Sequence, residues 1–172
     1  MTIRKTGELV PEFGFELVNG GHWNSRDIVP GSFTLLTVYR GKWCPHCKNQ
    51  LTELDQLNGD FAERGVATLA VSADTRVRAE STITELGLDR LTMGYEIPID
   101  RARDLGLFIS SQVKDEEMPL FCEPGSFLID ADSRVFAAWI ASNAFARTAP
   151  RDILAYVDFI SEKKGRPPRG SA

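Results

Sequence analysis

The sequence predicts an α/β fold with a mixed central sheet, helices on both faces and an N-terminal β-hairpin. Three observations carry that expectation. The apolar, β-branched runs at residues 33–39 and 66–72 have the character of strands buried on both sides. Apolar residues at helical spacing follow each run, as βαβ crossovers require. A late strand-turn-strand, residues 127–130 and 135–140 around Ala131-Asp132-Ser133, then adds antiparallel pairing.

Taken in order, Phe13, Phe15 and Leu17 alternate with Glu12, Gly14 and Glu16. Asn19-Gly20-Gly21 marks a turn into a second short strand at His22-Trp23. After the strand ending at Tyr39, Leu51, Leu54, Leu57 and Phe61 define one helix, closed by Gly65 behind Arg64. Beyond the second buried strand, Asp74 or Thr75 caps a helix running to Gly87, with Val77, Ile83 and Leu86 turned inward. A loop through Met93-Gly94-Tyr95 leads to a short strand at Ile97-Pro98-Ile99, a short helix from Arg101 to Leu107 and a polar insertion at 110–117. The late hairpin and a helix carrying Ile153, Leu154, Val157, Phe159 and Ile160 complete one domain, residues 1–164. Gly165, Pro167, Pro168 and Gly170 make 165–172 a flexible tail.

Length and composition suit a single soluble domain with a full core. The net charge of −4 argues against a nucleic-acid or membrane-surface partner, despite the basic stretch from Lys163 to Arg169. Residues 1–8 lack the apolar core of a leader, and no stretch is long and apolar enough to span a bilayer, so the expected location is cytoplasmic. In a reducing compartment three cysteines do not form a disulfide scaffold. Catalysis or metal binding is left for the close pair, Cys44 and Cys47.

That pair lies where a strand hands over to a helix, and the free amides and partial positive charge of a helix start favour thiolate over thiol. Cys44, at the cap, is the expected exposed nucleophile, and Cys47, one turn in, the more buried resolving thiol. Pro45 suits a first helical position, where no N–H is needed. His46 is a candidate to stabilise the Cys44 thiolate, the alternative being a solvent-facing side chain. Trp43 either shields the site or serves as a core aromatic. Arg40 and Lys42 either lower the thiol pKa values or are solvated surface charges. A zinc half-site is the competing use of the cysteines, with only Cys122, His22 and His46 available as further ligands and no second Cys-x-x-Cys. No metal and no other cofactor is expected. Cys122 reads as a small buried apolar residue or a third redox partner, and His22 as surface.

Trp43-Cys44-Pro45-His46-Cys47 resembles the thioredoxin-superfamily active site. Pro124-Gly125-Ser126-Phe127-Leu128-Ile129-Asp130 is similar to the segment in which thioredoxin-like proteins carry a cis-proline before a core strand. The resemblance implies a thioredoxin-like fold with Pro124 cis and opposite the cysteines. Val38 stands where thioredoxin has a buried aspartate; Glu123, beside Pro124, is a candidate carboxylate, the alternative being a plain surface residue in a loop. The Val38-Tyr39-Arg40-Gly41 approach to Trp43-Cys44-Pro45, the Phe13-x-Phe15-x-Leu17 opening, Ser72-Ala73-Asp74 and the insertion before Pro124 resemble the peroxiredoxin-like branch of the alkyl hydroperoxide reductase and thiol-specific antioxidant family, over residues 8–163.

Peroxiredoxins carry Pro-x-x-x-Thr-x-x-Cys. Aligned on Cys47, that pattern puts Arg40 at the proline and Cys44 at the threonine, while Pro124 replaces a characteristic arginine. The resemblance therefore implies a dithiol site on a peroxiredoxin-like body: a thiol-disulfide oxidoreductase working through a Cys44/Cys47 couple. A thiol peroxidase, with Arg40 or Arg147 activating the peroxide, is the alternative. A non-catalytic binding or zinc-holding module is the third reading. Implied partners are a protein or small-molecule disulfide, or a hydroperoxide, and a thiol reductant such as a thioredoxin or glutathione system.

Overall fold

The computed structural model describes residues 6–29 and 32–172. The leader-free reading of the N-terminus rests largely on residues 1–5, which lie outside the described residues. A short hairpin opens the chain, β1 (Gly14–Glu16) with β2 (His22–Asn24), pairing Phe15 with Trp23 across the turn. Their rings stack at 5.1 Å, which fixes this hairpin by an aromatic pair as well as its backbone bonds.

The central sheet has the order β5-β4-β3-β8-β9. β3 (Phe33–Val38) and β4 (Val66–Val71) run parallel with every residue in register, from Phe33 opposite Val66 to Val38 opposite Val71. β5 is only Thr92–Met93. β8 (Gly125–Ile129) inserts antiparallel to β3, and β9 (Val135–Ile140) antiparallel to β8 at the edge. The sheet is therefore mixed, as the sequence predicts.

Alternation along β3 separates two cores. Leu36 and Val38 face a cluster with Phe15, Leu107, Cys122 and Phe127, while Leu35 and Tyr39 face one with Cys44, Cys47, Leu51, Phe61 and Val157. The second face is covered by α1 (Pro45–Gln56), α2 (Asn58–Glu63), α3 (Arg76–Leu86) and α5 (Pro150–Glu162). The first is covered by α4 (Ile99–Asp104), the N-terminal hairpin and a second hairpin, β6 (Ile109–Ser111) with β7 (Leu120–Cys122). Among the described residues no helix is long and apolar enough to cross a membrane.

Several local expectations are corrected. The single helix expected up to Gly65 breaks at Leu57 (φ −90°, ψ 1°), where Asn58-Gly59 is a poor helix pair and the Asn58 amide bonds Thr68 Oγ1 at 2.6 Å instead. Val77, expected inward, is 73% exposed. The buried positions of α3 are Ala79 and Thr82, with Ile83 and Leu86 beside them, and Val77 is two residues out of phase with that stripe. Ile97-Pro98-Ile99 is not a strand. Pro98 has no N–H for a ladder and its φ of −61° caps α4 instead. The polar insertion contains strand: Ser110 and Ser111 pair with Phe121 and Leu120, and the Glu117 carboxylate closes the turn by accepting from the backbone of Val113 and Lys114 at 2.7 and 3.0 Å.

The last eight residues form no regular element. Thr6 Oγ1 donates to the Arg169 carbonyl at 2.6 Å, and the Arg166 guanidinium lies 4.9 Å from the Phe159 ring.

Candidate active site

The parallel strands β3 and β4 end side by side, so the loops leaving Val38 and Val71 meet at one edge of the sheet. The first loop delivers the cysteines. Cys44 has extended backbone (φ −87°, ψ 111°) and N-caps α1, its Sγ accepting from the Cys47 amide at 3.4 Å. Pro45 occupies the opening helical position, as expected.

Asp74, at the end of the β4 loop, shapes this turn. It is fully buried, accepts from the Lys42 amide at 2.8 Å and pairs with Arg78 at 2.9 Å, and burial raises its pKa. Arg78 in turn lies over the Trp43 ring, whose other neighbour is the Phe121 ring at 5.0 Å in an edge-on contact. Trp43 thereby forms a wall beside Cys44. Gly41 is required at the near side of that wall, since its φ is +156° and a Cβ there would lie 2.1 Å from the indole.

Both thiols are free and buried, Cys44 being only 1% exposed and Cys47 fully enclosed. The expectation of an exposed Cys44 is therefore corrected. The segment 142–149 folds over the helix start and brings in Arg147, whose Nη1 lies 3.1 Å from Cys47 Sγ and whose Nη2 lies 3.8 Å from Cys44 Sγ. The same guanidinium donates to the Ala144 carbonyl through Nε and Nη2, at 3.1 and 2.8 Å, and to Gln50 Oε1 at 3.0 Å. Its five N–H groups are committed, which holds the cation rigidly against both sulfurs.

His46 is not the cation at the sulfurs. Its ring stands on the exposed side of α1 against Phe145, at 4.4 Å. The sequence alone offers Arg147 only as a peroxide-activating alternative, although it is the sole charged residue between 135 and 149, an isolation that marks it for a specific partner. Gln50 carried no such signal.

Arg40, allowed as a surface charge, is half-buried and engaged. Its amide donates to Cys47 Sγ at 3.3 Å, its guanidinium covers Phe121 at 5.1 Å, and its Nε lies 3.0 Å from Glu123 Oε2. Glu123 is likewise buried, at 4% exposure, and accepts from Ser110 Oγ at 2.7 Å.

Pro124 is trans, since the described residues contain no cis peptide bond. The chain runs extended through this point. The Glu123 amide bonds the Phe108 carbonyl at 2.8 Å, the Pro124 carbonyl accepts from Ala141 at 2.9 Å, and β8 begins at the next residue. Because β8 pairs with β3 from Val38 opposite Gly125, Pro124 still sits at the sheet edge from which the cysteine loop leaves. It lines, with Gln50, Ser126, Trp139 and Arg147, a cavity of about 310 Å³. A second opening of about 230 Å³, lined by His46, Asn49, Gln50 and Arg147, lies on the other side of the guanidinium.

This geometry divides the two thiols. The Cys47 thiol donates to the Cys44 sulfur, and with the Cys47 amide, Arg40 and Arg147 this outweighs burial and lowers the Cys44 pKa to about 5. Cys47 moves strongly upward, through burial first and the hydrogen bond to Cys44 second. Cys122 lies in the opposite core, where burial pushes its thiol up to about 12. Among the described residues no three His, Cys, Asp or Glu side chains gather as a metal site. His22 is exposed and 2.9 Å from Glu16.

A family model described as the AhpC/TSA family matches residues 6–138. The thiol-disulfide oxidoreductase ResA of Halalkalibacterium halodurans is 27% identical over 100 residues, 58% of this chain and 53% of that protein. ResA of Bacillus cereus is 26% identical over 129 residues, 75% and 66%. The chain thus spans about half to two thirds of the length of the curated relatives it matches. Among solved structures, a mutant Peroxiredoxin 6 of Arenicola marina superposes with a TM-score of 0.76 at 22% identity, covering 94% of this chain and 75% of that one. Mycobacterium tuberculosis AhpC gives 0.77 at 12%, covering 96% and 97%. At these identities the likeness is one of fold, and it supports the thioredoxin-like, peroxiredoxin-like architecture.

Proposed function

The chain belongs to the AhpC/TSA family, and from that premise we propose that it is a thiol-disulfide oxidoreductase whose working unit is the Cys44/Cys47 couple. The observation that carries this reading is the split between the two thiols: an N-capping Cys44 with a pKa lowered to about 5, three residues before a Cys47 held as thiol. In the proposed reaction the Cys44 thiolate attacks one sulfur of a substrate disulfide and expels the other as thiolate, forming a mixed disulfide. Cys47 then loses its proton and attacks Cys44 Sγ, so the second substrate sulfur leaves as thiolate and the Cys44–Cys47 disulfide remains. Two electrons pass to the substrate, and an external dithiol restores the pair. Because a stabilised Cys44 thiolate favours the reduced form, the couple is a stronger oxidant than one built from ordinary thiols.

A second reading, thiol peroxidase, is favoured by the Arg147 guanidinium lying against both sulfurs. There Cys44 S⁻ would attack the distal peroxide oxygen, an alcohol or water would leave, and the sulfenic acid would condense with Cys47, losing water, to the same disulfide. Turnover of a protein disulfide and of hydrogen peroxide, compared at one protein concentration for wild type, Cys44→Ser and Cys47→Ser, decides between them. The expected result is disulfide turnover lost in Cys44→Ser and a trapped mixed disulfide in Cys47→Ser. Faster peroxide turnover, with disulfide turnover at background, would replace the first reading by the second.

A further inference from the structure

Beside the dithiol lies a largely enclosed charged pair whose carboxylate the proposed exchange does not use. Glu123 enters from the end of the β6–β7 hairpin and Arg40 from the end of β3. Their contact, Arg40 Nε to Glu123 Oε2 at 3.0 Å, lacks hydrogen-bond geometry, and neither atom has another hydrogen-bond partner. It is a charge contact. The other Glu123 oxygen is held by Ser110, and the Arg40 guanidinium is backed by Phe121, both from the same hairpin. A buried ion pair of this kind contributes little net stability over an apolar pair of similar volume. Its placement is what sets it apart: the Arg40 amide is bonded to Cys47 Sγ.

The charged and titratable groups facing Cys44 are Cys47 from α1, Arg40 from β3 with Glu123 behind it, and Arg147 from the loop before α5. His46 is turned to Phe145. Arg147 meets neutral acceptors and the two sulfurs, so among the described residues no carboxylate pairs with it. Arg40 is offset by Glu123. Glu117, in the turn of the same hairpin, also interacts with the Arg40 charge, so the part-buried guanidiniums, these carboxylates and the Cys44 thiolate form one coupled cluster. Uncompensated charge is costly away from water, so each member biases the ionisation of the others.

We propose that Glu123 is a positioning residue that acts through Arg40: it holds the guanidinium at the dithiol and, by sharing its charge, limits how far Cys44 is driven toward thiolate. The inference takes Cys44 as the nucleophile of the proposed exchange. Removing the carboxylate frees the whole Arg40 charge for Cys44 and favours thiolate further. Removing the guanidinium has the opposite effect, and it also takes away the charge through which Glu123 acts on Cys44.

The test is the pH dependence of Cys44 alkylation by iodoacetamide, followed by mass spectrometry on the reduced full chain. Arg40→Met should move the midpoint upward and slow labelling at pH 5 to 6 about tenfold, as expected for loss of an adjacent opposite charge. Arg40→Lys should restore most of it. Glu123→Gln should move the midpoint downward, and Glu123→Met, which leaves no amide to satisfy, should do the same if the Gln variant does not fold. In the Arg40→Met background Glu123→Gln should add nothing. A midpoint that is unchanged or raised in the folded Glu123 variants, or a Glu123→Gln shift of equal size without Arg40, would overturn the proposal. The readout is ionisation rather than turnover. Shifts without disulfide exchange would leave this inference standing and remove the proposed function, and exchange without shifts would do the reverse.

Discussion

Cys47 and Cys122 are both fully enclosed, both lie in apolar clusters, and they differ in what polar groups reach them. Around Cys122 the only strong influence is burial, which raises the thiol to about 12 and makes it a small hydrophobe. Around Cys44 and Cys47, equally out of water, a helix amide, a backbone amide and two guanidiniums converge on the sulfurs. Burial magnifies those interactions rather than silencing the thiols. Enclosure by itself therefore says nothing about reactivity. The donors inside the enclosure decide it.

The sharpest way to break that comparison is to exchange the fates of the cysteines. Cys44→Ser should reduce disulfide turnover to background, whereas Cys122→Ala should retain it, measured by reduction of a protein disulfide. Loss of turnover in a folded Cys122→Ala protein would make the second cluster functional. Next in size is Arg147→Met. With one guanidinium gone, Cys44 labelling at pH 6 should fall about tenfold, read by alkylation rate in the native chain, and an unchanged rate would leave Arg147 only a structural role.

The pH profile of the wild type sharpens the contrast further. A lowered thiol pKa means thiolate appears as pH rises through the lowered value, so Cys44 should label with a midpoint near 5. Cys47, shifted upward, and Cys122 should stay unlabelled at neutral pH while the protein is folded. Labelling of Cys47 ahead of Cys44 would invert their roles.

Two smaller effects test the scaffold. Gly41→Ala forces a methyl into the Trp43 ring and should cost about 1–3 kcal/mol in denaturant unfolding. Val77→Ala, on the outer side of α3, should stay within about 0.5 kcal/mol. A Gly41→Ala protein as stable as wild type would mean that the indole can leave its place beside Cys44.

Much of this architecture was readable from residue order. Continuous apolar runs place β3 and β4, Asn19-Gly20-Gly21 places the first hairpin, Thr75 and Gly87 bracket α3, and Cys44-Pro45 marks the start of α1. These are local signals: a strand buried on both sides, a turn needing positive φ, a cap, a proline without N–H. Where local preference is weak, tertiary pairing decides. Asn58-Gly59 broke a helix that its apolar spacing would have continued, Pro98 began a helix where a strand was expected, and two serines formed β6 because Phe121 and Leu120 were there to pair with them.

The site follows the same division. A Cys-x-x-Cys between strand and helix is legible because three residues of spacing and a helix N-terminus are local facts, and they point to Cys44 as the ionised partner. The burial of Cys44, the trans geometry at Pro124, and the convergence of Arg40, Glu123, Asp74 and Arg147 are long-range outcomes. Arg147 is separated from Cys47 by 100 residues and reaches it because β8 and β9 return the chain to the sheet edge where β3 ends. Thiol spacing is written in the chain, whereas the charges that set thiol acidity come from segments brought together by sheet order and packing.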